Sequence, residues 1–221
     1  MKSRLLFISF VAIPVLAAHA GTGRAAVESY PFGAATPARY SAVSSAVMQY
    51  RWFKFPALGV ITVDAPRRRF ALVGLSQVGI NVFELSETNG RLQSRMPGEL
   101  LKRHPEIATG AAADVRQMFF DLDPARSARQ VRGPRDKAAV FQQPAEGGML
   151  EYRFDKKTGR LLEKQFAAPR KFFPGSSVVW RVLYEDYAAV GHQSYPRIIR
   201  FKHRNRHYAI TLFLREMRIA R

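Results

Sequence analysis

His203 and His207 are the first residues to test for chemistry. Four residues apart on a helix, two imidazoles share a face and can hold a metal ion together. Here they flank Asn205 in a basic stretch that reads as a hairpin turn, with no carboxylate close in sequence. Solvated or strand-end histidines are therefore expected. Glu185 and Asp186 are adjacent, and successive side chains of a strand point to opposite faces, so they make a poor acid–base pair. Glu84, Asp121, Glu151, Asp155 and Glu163 are scattered. No GxSxG elbow, phosphate loop, HExxH pair or dinucleotide fingerprint is present. The chain has no cysteine, which removes disulfides, thiolate metal sites, cysteine nucleophiles and thioether lipid anchors. The expectation is no catalytic residue, no metal and no cofactor.

What remains is charge and apolar surface. Thirty-five Lys and Arg against 17 Asp and Glu give a formal charge of +18, spread along the 221 residues. Such an excess serves nucleic acid, acidic polymers or anionic lipid, and compartment decides among them. Lys2 and Arg4 precede an apolar run from Leu5 to Leu16 that only Ser9 and Pro14 interrupt, and Ala18-His19-Ala20 follows. This is the pattern of a signal peptide cleaved after Ala20. A retained anchor is the alternative, although the run is short for a bilayer. An exported protein rarely meets nucleic acid, so none is expected as a partner. Periplasmic location and an anionic membrane surface follow naturally.

Residues 21–40 carry Gly, Ala and Pro without periodicity and read as a flexible lead-in, followed by one domain over residues 41–221. Strand patterns start where Met48, Tyr50 and Trp52 alternate with Gln49, Arg51 and Phe53. They continue over 59–64, 67–77 and 78–86, and Asn89-Gly90 is a two-residue hairpin signal before a return strand over 91–96. From Glu99 to Leu122 apolar residues recur at spacings of three, four and seven, one face of a helix, with Pro105 and Gly110 expected to split it. That helix is either packed on a sheet as ordinary core or a movable lid, with Met118 and Phe119 as adaptable contacts. Asp123 to Pro134 reads as a polar connector. Strands resume at 138–142, at 149–155 (Leu150, Tyr152 and Phe154 on one face), at 160–167 and at 176–187 (Val178, Trp180, Val182 and Tyr184 on one face). A loop over 169–175 separates the last two.

The final stretch, Ser194 to Ala220, reads as a hairpin. Ile199 and Phe201 face one way and Arg200, Lys202 and Arg204 the other. Tyr208, Ile210, Leu212 and Leu214 share a face, but Met217 and Ile219 fall out of phase with them. Either a bulge near Arg215 shifts the register or both faces are covered. About ten strands and one helical region without βαβ alternation give a mainly β, α+β fold.

Four stretches carry a family resemblance: LVGLSQVGINVFEL (72–85), DVRQMFFDL (114–122), LEYRFDKKTGRLLEK (150–164) and the closing SYPRIIRF…YAITLFLREMRI. Together they resemble the LolA/LolB-like carrier and receptor superfamily that handles lipoproteins at the Gram-negative outer membrane. The first two are most similar to a poorly characterised LolB-like branch. The resemblance implies an incomplete antiparallel β-barrel plugged by helices, and a monomeric, non-catalytic binder of the acyl chains of a lipid or lipoprotein. The chain departs from the lipoprotein receptor in lacking a cysteine. The family's lipid-handling loop carries an exposed apolar residue, for which Phe172 or Phe173 is the candidate here.

An acyl site on this plan is lined by Trp52, Leu150, Tyr152, Phe154, Val178, Trp180, Val182, Ile199, Phe201, Ile210 and Leu212, and covered by Val115, Met118 and Phe119. Phe172, Phe173, Arg200, Lys202 and Arg204 are candidates for membrane or partner contact. Two competing readings stand beside the carrier: an envelope assembly protein with a filled core and a basic docking surface, and an unrecognised hydrolase or binder of acidic glycans.

Overall fold

The computed structural model describes residues 37–50, 53–76, 78–95, 106–131, 137–170, 174–204 and 206–219. Its strands are β1 (Arg39–Tyr50), β2 (Phe53–Asp64), β3 (Arg69–Leu75), β4 (Asn81–Thr88), β5 (Arg91–Arg95) and β6 (Arg129–Val131) in the first part of the chain. They continue with β7 (Ala138–Ala145), β8 (Gly148–Asp155), β9 (Leu161–Pro169), β10 (Ser176–Val190), β11 (Gln193–His203) and β12 (Tyr208–Ile219). One helix, α1 (Glu106–Phe119), lies between β5 and β6 among the described residues.

The strands form a single antiparallel sheet in the order β5-β4-β3-β2-β1-β12-β11-β10-β9-β8-β7-β6. It is two meanders, β1 to β5 and β6 to β12, joined where the last strand returns beside the first. Edge strands β5 and β6 are not paired with each other, so the sheet stays open and α1 plugs its inner face. The expected incomplete barrel is observed, with twelve strands in place of about ten. One extra strand, β6, lies inside the expected polar connector. Strand β1 begins at Arg39, two residues before the expected domain boundary. The leader and most of the lead-in lie outside the described residues.

Prolines explain part of the difference. Pro56 sits inside β2, which had been expected to start near Gly59. On that stretch β2 pairs with β1, while its pairing with β3 begins only at Leu58–Leu75. A residue without an N–H is tolerated on the side of a strand that has no ladder to complete. Pro196 is accommodated likewise, since β11 pairs with β12 only from Ile198 onward.

Two local signals hold. Asn89 and Gly90 have φ of 52° and 74° and connect β4 to β5 directly, the geometry of a two-residue type I′ hairpin. The phase problem in β12 is a bulge at Arg215: Ser44 pairs with Leu214, but Val43 pairs with Glu216. The extra residue returns Met217 and Ile219 to the inner face, while Phe213 points outward.

One expectation fails. Gly110 does not split the helix, which runs unbroken from Glu106. A Cβ on Gly110 would lie 2.9 Å from Nη1 of Arg206, the far end of a flexible side chain of the β11–β12 turn that packs over the helix here. Glu106 in the first turn and Arg116 in the last complement the helix dipole.

Candidate functional site

Register alone places a row across the inner face that is apolar except for Lys164. Phe141 lies beside Tyr152, then Lys164, Val182, Phe201, Ile210 and Met48 follow on successive strands. A parallel row holds Leu150, Phe166, Trp180, His203 and Tyr208. Phe166 stacks on Trp180 at 6.1 Å, and His203 stacks on Tyr208 at 5.9 Å. Onto this floor α1 presents Ala108, Ala112, Val115, Met118 and Phe119, all buried.

The residues expected to line and cover a site therefore come together. Tyr152, Phe154, Trp180, Val182, Ile199 and Phe201 are buried beneath the helix, and Leu150, Ile210 and Leu212 pack against them half-buried. Val178 does not join them. A bulge between Val178 and Trp180 in the pairing with β9 breaks the alternation, and Val179 takes its place against the core. Trp52, Phe172 and Phe173 lie outside the described residues. Arg200, Lys202 and Arg204 are exposed on the outer face. Arg200 is neutralised by Glu185 at 3.0 Å, and Arg197 by Asp186 at 2.7 Å, so the adjacent carboxylates serve as two separate surface ion pairs. His203 is buried against aromatic rings, and burial lowers its pKa. No group of three or more candidate metal-binding side chains occurs among the described residues.

The polar residues that tie the helix down were not foreseen. Lys164 is buried on β9, and its ammonium donates to the carbonyls of Gln117 at 3.3 Å and Phe120 at 2.8 Å. It lies over the rings of Trp180 and Tyr152 at 5.8 and 5.9 Å. The Tyr184 hydroxyl donates to the Met118 carbonyl at 3.0 Å. Three carbonyls at the helix C-terminus, which lack partners within the helix, are thus met by two strands. Burial pulls the Lys164 pKa down to about 8. The one available signal was that Lys164 stands two residues before Phe166, in phase with the floor.

Farther up the helix, Asp114 accepts a hydrogen bond from the Tyr208 hydroxyl, and Arg116 pairs with buried Glu87 on β4. Burial raises the Asp114 pKa to about 6, against the opposing pull of Tyr208 and Arg206. Asp114 Oδ1, Gln117 Oε1 and the Tyr152 hydroxyl are buried without a hydrogen-bond partner among the described residues. Each such group costs on the order of 1–3 kcal/mol, so the seat beneath the helix is less than fully satisfied.

Beyond the helix the inner face stays apolar, and Met48, in the row of Phe201 and Ile210, is 42% exposed. A second apolar feature lies at the β3–β4 turn, where Val78 and Ile80 are 80% and 65% exposed around Gly79. Apolar residues on both sides of a turn glycine are the signal for it, although apolar pattern alone predicts strand over 78–86. Among the described residues no helix is long and apolar enough to cross a membrane.

No protein-family model matches the chain, and no curated protein matches it. Solved structures do. A LolA superfamily protein from Nitrosomonas europaea superposes with a TM-score of 0.58 at 9% identity, covering 84% of this chain and 87% of its own. A putative outer membrane lipoprotein-sorting protein domain from Vibrio parahaemolyticus gives 0.50 at 8% identity, covering 81% and 84%. At such identities the likeness is one of architecture, and on that ground the chain has the LolA-superfamily fold.

Proposed function

We propose that this chain is a non-catalytic periplasmic carrier or chaperone. Exported with its leader removed after Ala20, it holds the acyl chains of a lipid or lipoprotein between the inner face of the sheet and α1. The observation that carries the reading is the apolar floor that runs from beneath the helix out to exposed Met48. A chain entering there meets Ile210, Leu212 and Phe201 without crossing a polar barrier. Burying each methylene contributes about 0.8 kcal/mol, so about twelve of them contribute roughly 10 kcal/mol. That is of the same order as the burial of Val115, Met118 and Phe119 on α1, so the acyl chain would have to take over the floor that the helix covers. The exposed Val78–Ile80 tip is a further candidate, beside Phe172 and Phe173, for the lipid-handling loop of the resemblance.

The test is uptake of a fluorescent fatty-acyl probe, together with native mass spectrometry of protein purified from its host. Bound lipid and saturable uptake are expected. Met48→Glu, at an exposed position where folding tolerates charge, should weaken uptake at least tenfold. No bound lipid and no uptake by folded wild-type protein would remove the carrier reading. A second reading, an envelope assembly protein with a filled core, is favoured by the full burial of Tyr152, Val182 and Leu85. It predicts that negative result.

A further inference from the structure

The outer face of the sheet is unusually apolar for a surface with solvent in front of it. Val43 and Leu58 are each 42% exposed, and Val47 is 36% exposed. Half-buried Phe213 and Ile198 continue the strip across β12 and β11, paired opposite each other on the same face. Isolated exposed aliphatics mean little, but neighbours on adjacent strands form a patch.

One border of this strip is cationic by register. Lys54 pairs with Gln49, Gln49 with Ala209, Ala209 with Lys202, and Lys202 with Arg181, a single row across five strands. Arg204 and His207 extend it at the β11–β12 turn. There a 670 Å³ groove is lined by Gln49, Lys202, His203, Arg204, His207, Tyr208 and Ala209, with no carboxylate among them. Arg181, at the end of this row, is matched by Glu163, as Arg39, Arg67, Arg153, Arg197 and Arg200 elsewhere each face an Asp or Glu within 4 Å. Lys54, Lys202 and Arg204 have no acidic partner among the described residues.

We infer that the outer face of β2, β1, β12 and β11 docks the protein on an anionic bilayer, with Lys54, Lys202 and Arg204 on lipid phosphates and Val47 and Leu58 in the interface. Aliphatic side chains beside uncompensated cations match the boundary between headgroups and acyl chains. Arg200 falls out of the footprint because Glu185 cancels it. A second copy of the chain is a poorer occupant, since the groove has no carboxylate to receive another copy's cations. The inference rests on the carrier reading for its membrane context, and it adds the face, and so the orientation, with which a carrier would meet its target.

The experiment is co-sedimentation of the full chain with phosphatidylglycerol–phosphatidylethanolamine vesicles against phosphatidylcholine vesicles. Light scattering for oligomeric state and acyl-probe uptake are measured on the same samples. Lys54→Gln with Lys202→Gln should weaken anionic-vesicle binding about 25-fold, from ~1 kcal/mol per cation near an anionic surface. Lys156→Gln with Lys157→Gln, an equal charge loss at the exposed β8–β9 turn, should change it much less. Val47→Ser with Leu58→Ser, both at exposed positions, should abolish the binding that survives high salt while the thermal midpoint is kept.

Equal losses from the two lysine pairs would overturn the inference, as would equal binding to phosphatidylcholine. So would a wild-type dimer that the Val47→Ser, Leu58→Ser variant converts to monomer. Protein that docks yet takes up no probe supports the docking face and removes the carrier reading. Protein that takes up probe without preferring anionic vesicles does the reverse.

Discussion

Replacing Lys164 with methionine isolates the contact that holds the helix end to the sheet. The substitution keeps a long apolar stem under the rings of Trp180 and Tyr152 and removes the ammonium that donates to the Gln117 and Phe120 carbonyls. Two effects oppose each other at pH 7. Two buried carbonyls lose their donor, at about 1–3 kcal/mol each. Against this, the cost of burying the charge disappears. That cost is about 3 kcal/mol, because the pKa falls from 10.5 to about 8 and each unit is worth about 1.4 kcal/mol. The near cancellation makes the pH 7 midpoint a poor readout, and pH dependence a good one.

A lysine with a depressed folded-state pKa penalises the folded state below pH 8, where it is charged in both states. Between about pH 8 and 10.5 the unfolded chain holds the proton and the folded one does not, so stability rises with pH. Tyr152, Tyr184, Tyr187 and Tyr208 are all held above the usual tyrosine range by burial and lower stability from about pH 10 upward, which leaves pH 8–10 as the clean window. Over that window wild-type protein should gain about 2–3 kcal/mol relative to Lys164→Met. For a domain of this size that is a difference in Tm of about 5–10 °C. Thermal melts of both proteins at half-unit steps make the measurement. Parallel curves would show that Lys164 is not a buried cation and would refute the account of the helix anchor.

Asp114 runs the other way: its folded-state pKa, raised to about 6, contributes stability below about pH 4 that is lost as pH rises through 6. Asp114→Asn should flatten that slope in denaturant melts between pH 4 and 7. A Cβ on Gly59 would lie 2.7 Å from the Val73 carbonyl oxygen, so Gly59→Ala should cost at least ~2 kcal/mol by urea unfolding, with the fold's circular dichroism retained. Intact-mass measurement of exported protein should give a chain starting at Gly21, whereas full-length protein in a membrane fraction would make residues 1–20 an anchor.

Much of this architecture is written locally. Alternation with period two marks β8, β10 and β11, and the Asn89-Gly90 pair dictates its own turn, because both follow from backbone geometry over a few residues. Even the bulge at Arg215 shows as a break of phase. The pattern of apolar residues likewise leads to a mainly β fold with one helical region, and the open barrel comes from the family resemblance. What local pattern cannot carry is anything that depends on which strand lies beside which. β1 meets β12 across nearly the whole chain, and only that pairing lines up Lys54 with Lys202 and Met48 with Ile210. Lys164 reads as one more basic surface residue until the fold brings it under the carbonyls of a helix 44 residues away. Val178 reads as floor until a bulge gives its place to Val179, since a one-residue shift reverses every side chain beyond it. Hydrophobic period tells which residues turn inward, and only packing across strands tells what they meet there.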